Sequence, residues 1–206
     1  MEIATSAAPA VTHLPRPEHP VASGRVIYSA GDAGLAWRIA QGSVRLDRPA
    51  GDSEERFANL AVQGDIIGAE TLIFGHYTFT ATALSPCVLA PWPEGDASSA
   101  GESLLHALGT SQKRMAEVIA LRCGQAANRV RGLIHLLALG HGQGHGVCHL
   151  PASLTLPSLR DMADITALTA ETVSRILSSL RRDGVLQLDG MRRGRHAPKT
   201  GTYLGA

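Results

Sequence analysis

Short apolar segments alternate with turn residues from Gly24 to about Pro93. Five of these segments are rich in β-branched, aromatic or other apolar residues, at lengths typical of strands. They are residues 26–28, 37–39, 44–46, 57–60 and 78–83. Glycine, aspartate or a Ser-Pro pair separates each segment from the next. Strands at such regular spacing predict a small antiparallel barrel or sandwich.

After Pro93 the apolar periodicity becomes helical. Residues 101–122 contain no proline, and their apolar positions predict one side of a long helix. These positions are Leu104, Leu105, Leu108, Met115, Val118 and Ile119. A second helix is predicted through residues 130–137, and Gly140 is expected to end it. The glycine-rich residues 140–146 predict a flexible connection.

Residues 158–181 carry the strongest local pattern. Ser158 is a good N-cap, and Asp161 three residues later approximates a capping box, so a short helix is predicted to begin here. A turn at residues 166–168 leads to Thr169, a second N-cap, at the start of a second helix. The pattern therefore predicts two short helices joined by a brief turn.

The second of these helices divides into an apolar and a polar side. Its apolar residues follow helical spacing and are predicted to face a core: Val173, Ile176, Leu177 and Leu180. Its polar residues follow the same spacing on the opposite side: Glu171, Ser174, Arg175 and Ser178. A polar face near the N-terminus of a second short helix is what reading the major groove of DNA requires. By spacing alone, a solvated pair of amphipathic helices remains an equal alternative.

The charge is distributed unevenly along the chain. Residues 1–100 contain six Arg and no Lys against eleven Asp and Glu, whereas residues 101–206 contain thirteen Lys and Arg against seven. A basic C-terminal half beside an acidic N-terminal half suggests that one half meets a polyanion. A chance imbalance is the alternative.

The cysteines, the N-terminal residues and the length of the apolar runs indicate the cellular compartment. The three cysteines, Cys87, Cys123 and Cys148, are odd in number and widely spaced, which argues against a disulfide framework and favours a reducing compartment. Residues 1–20 carry no secretory signal pattern and resemble a proline-rich tail, and no apolar run is long enough to span a membrane. We therefore expect a cytoplasmic protein.

The alternative to DNA binding is a protein of a different class. A β-roll or cupin-like ligand-binding or metal enzyme with a helical appendage would need a set of His and Glu ligands, but residues 24–93 contain only one histidine, His76. No nucleophile–base motif and no phosphate-binding loop occurs either. We expect no enzymatic activity and no metal site.

The helix-turn-helix residues resemble a known family. Residues 168–177, Leu-Thr-Ala-Glu-Thr-Val-Ser-Arg-Ile-Leu, are similar to the recognition helix of the CRP/FNR family of bacterial transcription regulators, and residues 180–186 resemble its passage into the wing. Upstream, residues 42–44 and 63–68 resemble turns of the family's β-roll sensor domain. The resemblance covers about residues 24–190 in the family's order.

The resemblance implies a fold of the α+β class. It consists of an N-terminal antiparallel β-roll like a cyclic-nucleotide-binding domain, a long dimerisation helix and a C-terminal winged helix-turn-helix. The implied boundaries are a flexible tail at residues 1–23, the sensor at 24–97, the dimerisation helix at 98–124 and the DNA-binding domain at 125–206. Two departures occur in the turn between the DNA-binding helices. Ala167 replaces the usual Gly, and Thr166 replaces an apolar residue, so we expect a slightly altered turn.

The resemblance also implies which DNA is read. The cyclic-AMP receptor protein carries Arg before the recognition Glu, whereas FNR-like members lack it, pair the Glu with Ser and Arg, and favour a TTGA-type half-site. The positions here are Ala170, Glu171, Ser174 and Arg175, which match the FNR-like class. The remaining expected DNA contacts are Thr169, Ser178 and, in the wing, Arg193. The implied partners are double-stranded DNA, a second copy joined along residues 101–122, and RNA polymerase if the protein is an activator.

No effector is identified by the sequence. Within the family a Glu after the Gly-rich turn and an Arg about ten residues later hold a cyclic nucleotide. Here Glu70 is displaced by one position and Tyr77 and Thr78 replace the Arg pair, while no Lys or Arg occurs between Arg56 and Lys113. Cyclic AMP is therefore not expected, although Glu70, Tyr77 and Thr78 remain candidate positions for another effector.

An iron–sulfur cluster and haem place different requirements on the sequence. The FNR-type iron–sulfur cluster needs four thiolates, and the N-terminal tail has no cysteine. Haem remains an alternative, with His76, Cys87 or His106 as axial ligand. Cys123, at the end of the dimer helix, is a candidate for thiol oxidation, with an inert thiol as the alternative. The group His141, His145, Cys148 and His149 matches no metal-site spacing, and a solvated loop is expected there.

Overall fold

Two antiparallel sheets form the N-terminal part of the protein. The computed structural model describes residues 18–50, 55–92, 100–139, 154–184 and 186. Within these residues there are eight strands: β1 His19–Val21, β2 Val26–Tyr28, β3 Ala36–Gln41, β4 Ser43–Pro49, β5 Glu55–Val62, β6 Ile66–Ile67, β7 Thr80–Ala83 and β8 Cys87–Trp92. One sheet has the order β1-β8-β3-β6 and the other β2-β7-β4-β5. This is the predicted β-roll.

Alternating burial along the strands creates the core between the sheets. Ile39, Val44, Ala81 and Leu89 are fully or almost fully buried and belong to one apolar cluster. Their strands come from both sheets, so each sheet covers the apolar face of the other. A single turn of helix, α1 at Thr71–Phe74, connects the short strand β6 to β7.

The five predicted strands are present, but the sequence did not reveal all of the sheet. Strands β1, β6 and β8 and helix α1 were not predicted. Because β1 pairs with β8 through His19 to Val21, the prediction of a flexible tail is wrong for these residues. The proline in β1 argued against a strand, but β1 is at the edge of its sheet, where a missing N–H is tolerated.

Two longer helices follow the sheets. They are α2 at Ala100–Ala120 and α3 at Ala126–Leu139. The sequence predicted that the apolar residues of α2 lie on one side of the helix, but the structure divides them between two environments. Val118 is buried against the protein's own core, whereas Leu105, Leu108, Met115 and Ile119 are exposed. The helix therefore has two apolar faces. One packs on the β-roll, and the other is exposed to solvent.

A second apolar cluster joins the sheets to the C-terminal helices. These helices are α4 at Leu159–Thr166 and α5 at Ala170–Arg182. Leu60 and Val62 of β5 belong to the same cluster as Val118 of α2, Met162 of α4 and Val173 of α5. None of the helices in the described ranges is long and apolar enough to cross a membrane.

Candidate nucleic-acid interface and sensor site

Helix α4 begins with the predicted cap. The hydroxyl of Ser158 accepts a hydrogen bond from the backbone N–H of Asp161 at 3.1 Å and donates to the Asp161 carboxylate at 2.6 Å. The carboxylate also lies in the first turn, where the helix dipole favours a negative charge. Met162 and Ile165 are fully buried on the inner side of α4. The cap and this apolar side fix where α4 starts and which side it buries.

The turn between α4 and α5 keeps a left-handed residue without glycine. Ala167 has φ 52° and ψ 47°, and its N–H donates to carbonyls at the end of α4. The alanine adopts the left-handed conformation itself, at an energetic cost. Thr166 is fully buried, and its hydroxyl donates to the carbonyl oxygen of Met162 at 2.6 Å, so this polar side chain is satisfied.

Helix α5 is capped and oriented as predicted. The hydroxyl of Thr169 accepts from the N–H of Thr172 at 3.2 Å. Val173, Leu177 and Leu180 are buried in the second apolar cluster, and Ile176 packs partly buried against it. The inner side of α5 is thereby fixed, and its opposite side is left facing solvent.

The structure brings the predicted reading residues together on that outer side. Glu171 and Arg175 lie one turn apart and remain 79% and 74% exposed, with 3.2 Å between Oε1 and Nη2. Ser178 is exposed and donates to the carbonyl of Ser174, which is half-buried. Thr169 and Ala170 are exposed at the N-terminus of the same helix. Arg193 and most of the predicted wing lie outside the described residues.

The sensor candidates Glu70, Tyr77 and Thr78 are also adjacent to one another. Both the N–H and the hydroxyl of Thr78 donate to Oε1 of Glu70, each at 3.3 Å. The Glu70 carboxylate is thus already engaged within the domain. A ligand at this position would have to displace Thr78 or share the carboxylate with it.

The ring of Tyr77 is closely packed within the β-roll. It stacks on the ring of Tyr28 with centroids 3.7 Å apart, and its hydroxyl donates to the carbonyl of Leu35 at 2.7 Å. The Tyr77 ring contacts the backbone so closely that a Cβ at Gly34 would overlap its hydroxyl, and a Cβ at Gly68 would lie 2.7 Å from a ring carbon. Glu70 and Thr78 therefore bond to each other, whereas Tyr77 is held by other residues of the β-roll.

The residues considered for haem or redox chemistry do not converge. Cys87 is buried, and burial raises the pKa of its thiol to about 11, so it is a poor thiolate ligand. His76 and His106 are exposed on different elements, and Nδ1 of His76 lies 2.9 Å from the carbonyl oxygen of Phe74. Cys123 is exposed beyond the end of α2. Among the described residues no group of three His, Cys, Asp or Glu is placed to hold a metal ion, and residues 141–149 lie outside them.

Sequence reasoning missed a set of charged residues between the β-roll and α4. Arg45 of β4 contacts Asp47 on its own strand and both Asp161 and Asp164 of α4. Burial lowers the pKa of Arg45, but its hydrogen bonds and charge interactions with Asp47 and Asp164 outweigh this and leave the pKa raised. No sequence pattern signals a contact between positions more than a hundred residues apart.

A second ion pair joins the β-roll to α2. Arg114 donates through Nε to Asp65 at 2.9 Å and through Nη1 to Glu117 at 2.6 Å. Asp65 also accepts from the N–H of Val62, so it closes the turn between β5 and β6 while it holds the helix. This pair contacts neither α4 nor α5.

A β-roll joined through a long helix to a capped helix pair with an exposed polar face defines a DNA-binding regulator with a sensor-type domain. Comparisons with known protein families support this class. Residues 18–103 match the cyclic nucleotide-binding domain, and residues 131–195 match the Crp-like helix-turn-helix domain. The chain belongs to the CRP/FNR family of bacterial transcription regulators.

Individual relatives support the assignment. The chain is 29% identical to the nitrogen fixation regulation protein FixK of Rhizobium meliloti over 170 residues, which are 80% of this chain and 75% of that protein. It is 22% identical to the fumarate and nitrate reduction regulatory protein of Escherichia coli, over 83% of this chain and 71% of that protein. The fold is similar to that of FixK2 from Bradyrhizobium japonicum, with a TM-score of 0.63 and 22% identity over 89% of this chain and 94% of that one.

Proposed function

We propose that this regulator is a cytoplasmic homodimer that reads a palindromic TTGA-like DNA site through α5, and that it has no enzymatic activity. The observation that carries this proposal is the polar side of α5 near its N-terminus. Glu171 and Arg175 are exposed there, Ser174 is half-buried, and Ala170 stands in place of an arginine. The similarity to FixK and to the fumarate and nitrate reduction regulator supports the FNR-like class.

Each residue of the group has chemistry that suits one role. The guanidinium of Arg175 can donate to the two acceptors of guanine, O6 and N7, in the major groove. The carboxylate of Glu171 can accept from the amino group of cytosine. Thr169, Ser174 and Ser178 supply short polar groups for further bases or phosphates, and Arg193 is assigned to a phosphate.

The exposed face of α2 supports the dimer. Leu105, Leu108, Met115 and Ile119 are exposed in one protomer, and with position 112 they give the alternating three- and four-residue spacing of a coiled-coil seam. Gln112 occupies the central position of the same stripe and is also exposed. A single polar residue in such a seam specifies register, so we assign that role to Gln112. The partner is a second copy, because palindromic sites require twofold symmetry.

Cyclic AMP is not the proposed effector. Tyr77 and Thr78 supply no cation for the phosphate, and Glu70 is already engaged by Thr78. Abundance of the protein or another ligand would then control binding, and RNA polymerase is a further partner if the protein activates. Calorimetric titration with cyclic AMP should show no micromolar binding and no gain in DNA affinity.

Selection from random DNA tests the proposed reading. The wild type should enrich TTGA-type half-sites arranged as a palindrome. The variant Ala170→Arg restores the side chain found in the cyclic-AMP receptor class, and it should shift the enriched sequence toward TGTGA. Enrichment of no palindrome by the wild type would refute the proposal. An unchanged preference in Ala170→Arg would refute the assigned orientation of α5.

A further inference from the structure

One arginine of the β-roll lies at the centre of the contact with the DNA-binding helices. Arg45 is only 12% exposed, and its Nε donates to the two carboxylate oxygens of Asp47 at 2.7 and 2.9 Å. Its Nη1 donates to Asp161 at 3.2 Å and to Asp164 at 3.0 Å. The guanidinium therefore uses one edge for its own sheet and the other for α4.

Phe57 and Arg122 complete the contact between the β-roll and α4. The guanidinium carbons of Arg45 and Arg122 lie 5.5 and 5.4 Å from the centroid of the Phe57 ring, at a distance suited to cation–π attraction. Arg122, just beyond the end of α2, donates to the carbonyl oxygen of Asp164 at 2.8 Å. The β-roll, the end of α2 and the C-terminal part of α4 thus meet around Phe57 and Asp164.

The contact lies away from the face of α5 proposed to read DNA. Its charged residues on the helix pair, Asp161 and Asp164, both belong to α4, whereas Glu171 and Arg175 stay exposed. A contact of this kind leaves the reading face free and restricts only the orientation of the helix pair. It is therefore suited to hold the DNA-binding domain in a reading position and not to block it.

We propose that Arg45 is a positioning residue for DNA reading, which sets the orientation of the helix-turn-helix relative to the dimer helix by holding α4 through Asp164. The inference rests on the proposed dimeric reading of a palindrome. In a dimer this orientation determines the separation of the two α5 helices, and hence the spacing between half-sites that fits both. Arg45 then contributes to spacing selectivity and not to base selectivity.

An arginine is required because its planar fork serves two sets of acceptors at once. Arg45→Lys keeps a positive charge beside the buried Asp47, but it lacks the second edge through which the guanidinium donates to α4. Asp164→Ala removes the shorter of the two contacts that Arg45 makes with α4 and leaves the contact with Asp161. It should leave the β-roll intact, since the Asp164 side chain is nearly half exposed. Asp183→Ala removes the same charge from the end of α5, where Asp183 accepts from Ser179, and serves as the matched control.

The experiment measures affinity for a series of duplexes. Two selected half-sites are separated by spacers that differ by one base pair, and full-length protein is titrated at fixed salt, since salt alone changes affinity. Asp164→Ala should lose about fivefold in affinity at the best spacing and much less at other spacings. Arg45→Lys should lose at least as much, and the double variant should lose no more than Arg45→Lys alone.

Base preference within the half-site should stay the same in all variants. If Asp164→Ala and Arg45→Lys keep the spacing preference of Asp183→Ala, the positioning role is overturned. A uniform loss at all spacings would overturn it as well, since it would indicate general destabilisation. Absence of any palindrome preference in the wild type would instead refute the proposed function on which the inference rests.

Discussion

The guanidinium of Arg175 lies 3.2 Å from the carboxylate of Glu171 one turn earlier on α5, and both side chains remain largely exposed. Exposed ion pairs of this spacing contribute little to stability. The pair therefore holds each side chain in place weakly, so that both can exchange this contact for bases. We expect Glu171 and Arg175 to contribute to the free energy of DNA binding and little to the free energy of folding.

Replacing Arg175 separates these two effects. Arg175→Ala should cost about 1–3 kcal/mol of DNA-binding free energy per half-site and relax the preference at one base pair, since a bidentate contact to guanine is lost. The midpoint of thermal unfolding should change little. Selection from random DNA and titration of the selected site would measure the two quantities.

Arg193→Ala is the contrasting variant. A phosphate contact carries no base information, so this change should weaken binding to all sequences alike and flatten the dependence of affinity on salt. If Arg175→Ala behaves in the same way and keeps the wild-type base preference, then another element reads the sequence.

Met115 tests the dimer seam of α2. Met115→Asp should yield a monomer at micromolar concentration, because the dimer would bury an unpaired carboxylate in an apolar seam. Light scattering on the purified variant measures this directly. DNA affinity for the palindrome should fall with it, since the two half-sites would no longer be bound together.

Two neighbouring positions serve as controls for Met115. Lys113 is 80% exposed on the flank of the helix, so Lys113→Asp should remain dimeric. Gln112→Leu should stabilise the dimer against thermal unfolding at equal protein concentration, since a polar residue in the seam costs stability. A monomeric wild type, or a dimeric Met115→Asp, would contradict the proposed seam.

The apolar pattern of α2 shows both the reach and the limit of sequence reasoning. The periodicity correctly predicted a helix, because the 3.6-residue repeat is a local property. It did not show that Val118 faces the β-roll while Met115 and Ile119 face outward, because both faces of the helix are apolar. The position of the sheets decides which face of α2 is buried and which is exposed.

The residues of the candidate site also differ in how far the sequence could predict them. The caps Ser158 and Thr169 and the polar face of α5 were predictable because they depend on residues within one or two turns. The sequence offered Glu70 and Thr78 only as candidate effector positions and did not predict their hydrogen bond, and it did not predict the contact of Arg45 with Asp164. Contacts between distant segments depend on packing that leaves no local signal.

Ala167 predicts a stabilising substitution. Its left-handed conformation is unfavourable for alanine by about 1–2 kcal/mol and is free of strain for glycine. Part of the gain in Ala167→Gly is offset by the greater freedom of glycine in the unfolded chain. The net expectation is an increase of about 0.5–1 kcal/mol in the free energy of unfolding, measured by denaturant titration. Ala163→Gly, within α4, should destabilise instead, and a loss of stability in Ala167→Gly would contradict the assigned turn.

The thiol of Cys87 predicts how stability changes in alkaline solution. Burial raises its pKa from 9.0 to about 11, and carbonyl oxygens of Ser43 and Ser85 lie 3.3 and 3.2 Å from Sγ. Between these two pH values the unfolded chain has released a proton that the folded protein keeps. As pH rises, the free energy of the unfolded state therefore falls relative to that of the folded state. This contribution to stability, complete below pH 9, is lost progressively toward pH 11.

The expected loss between pH 8 and pH 10 is about 1 kcal/mol from this thiol alone. Denaturant unfolding of wild type and Cys87→Ala at both pH values isolates the effect, because the alanine variant lacks the titrating group. The absolute stability of Cys87→Ala will differ through packing, so the comparison concerns the change with pH. The variant should show a shallower decline than the wild type. Equal declines would mean that Cys87 titrates in the folded protein as it does in the unfolded chain, and that its burial does not protect the proton.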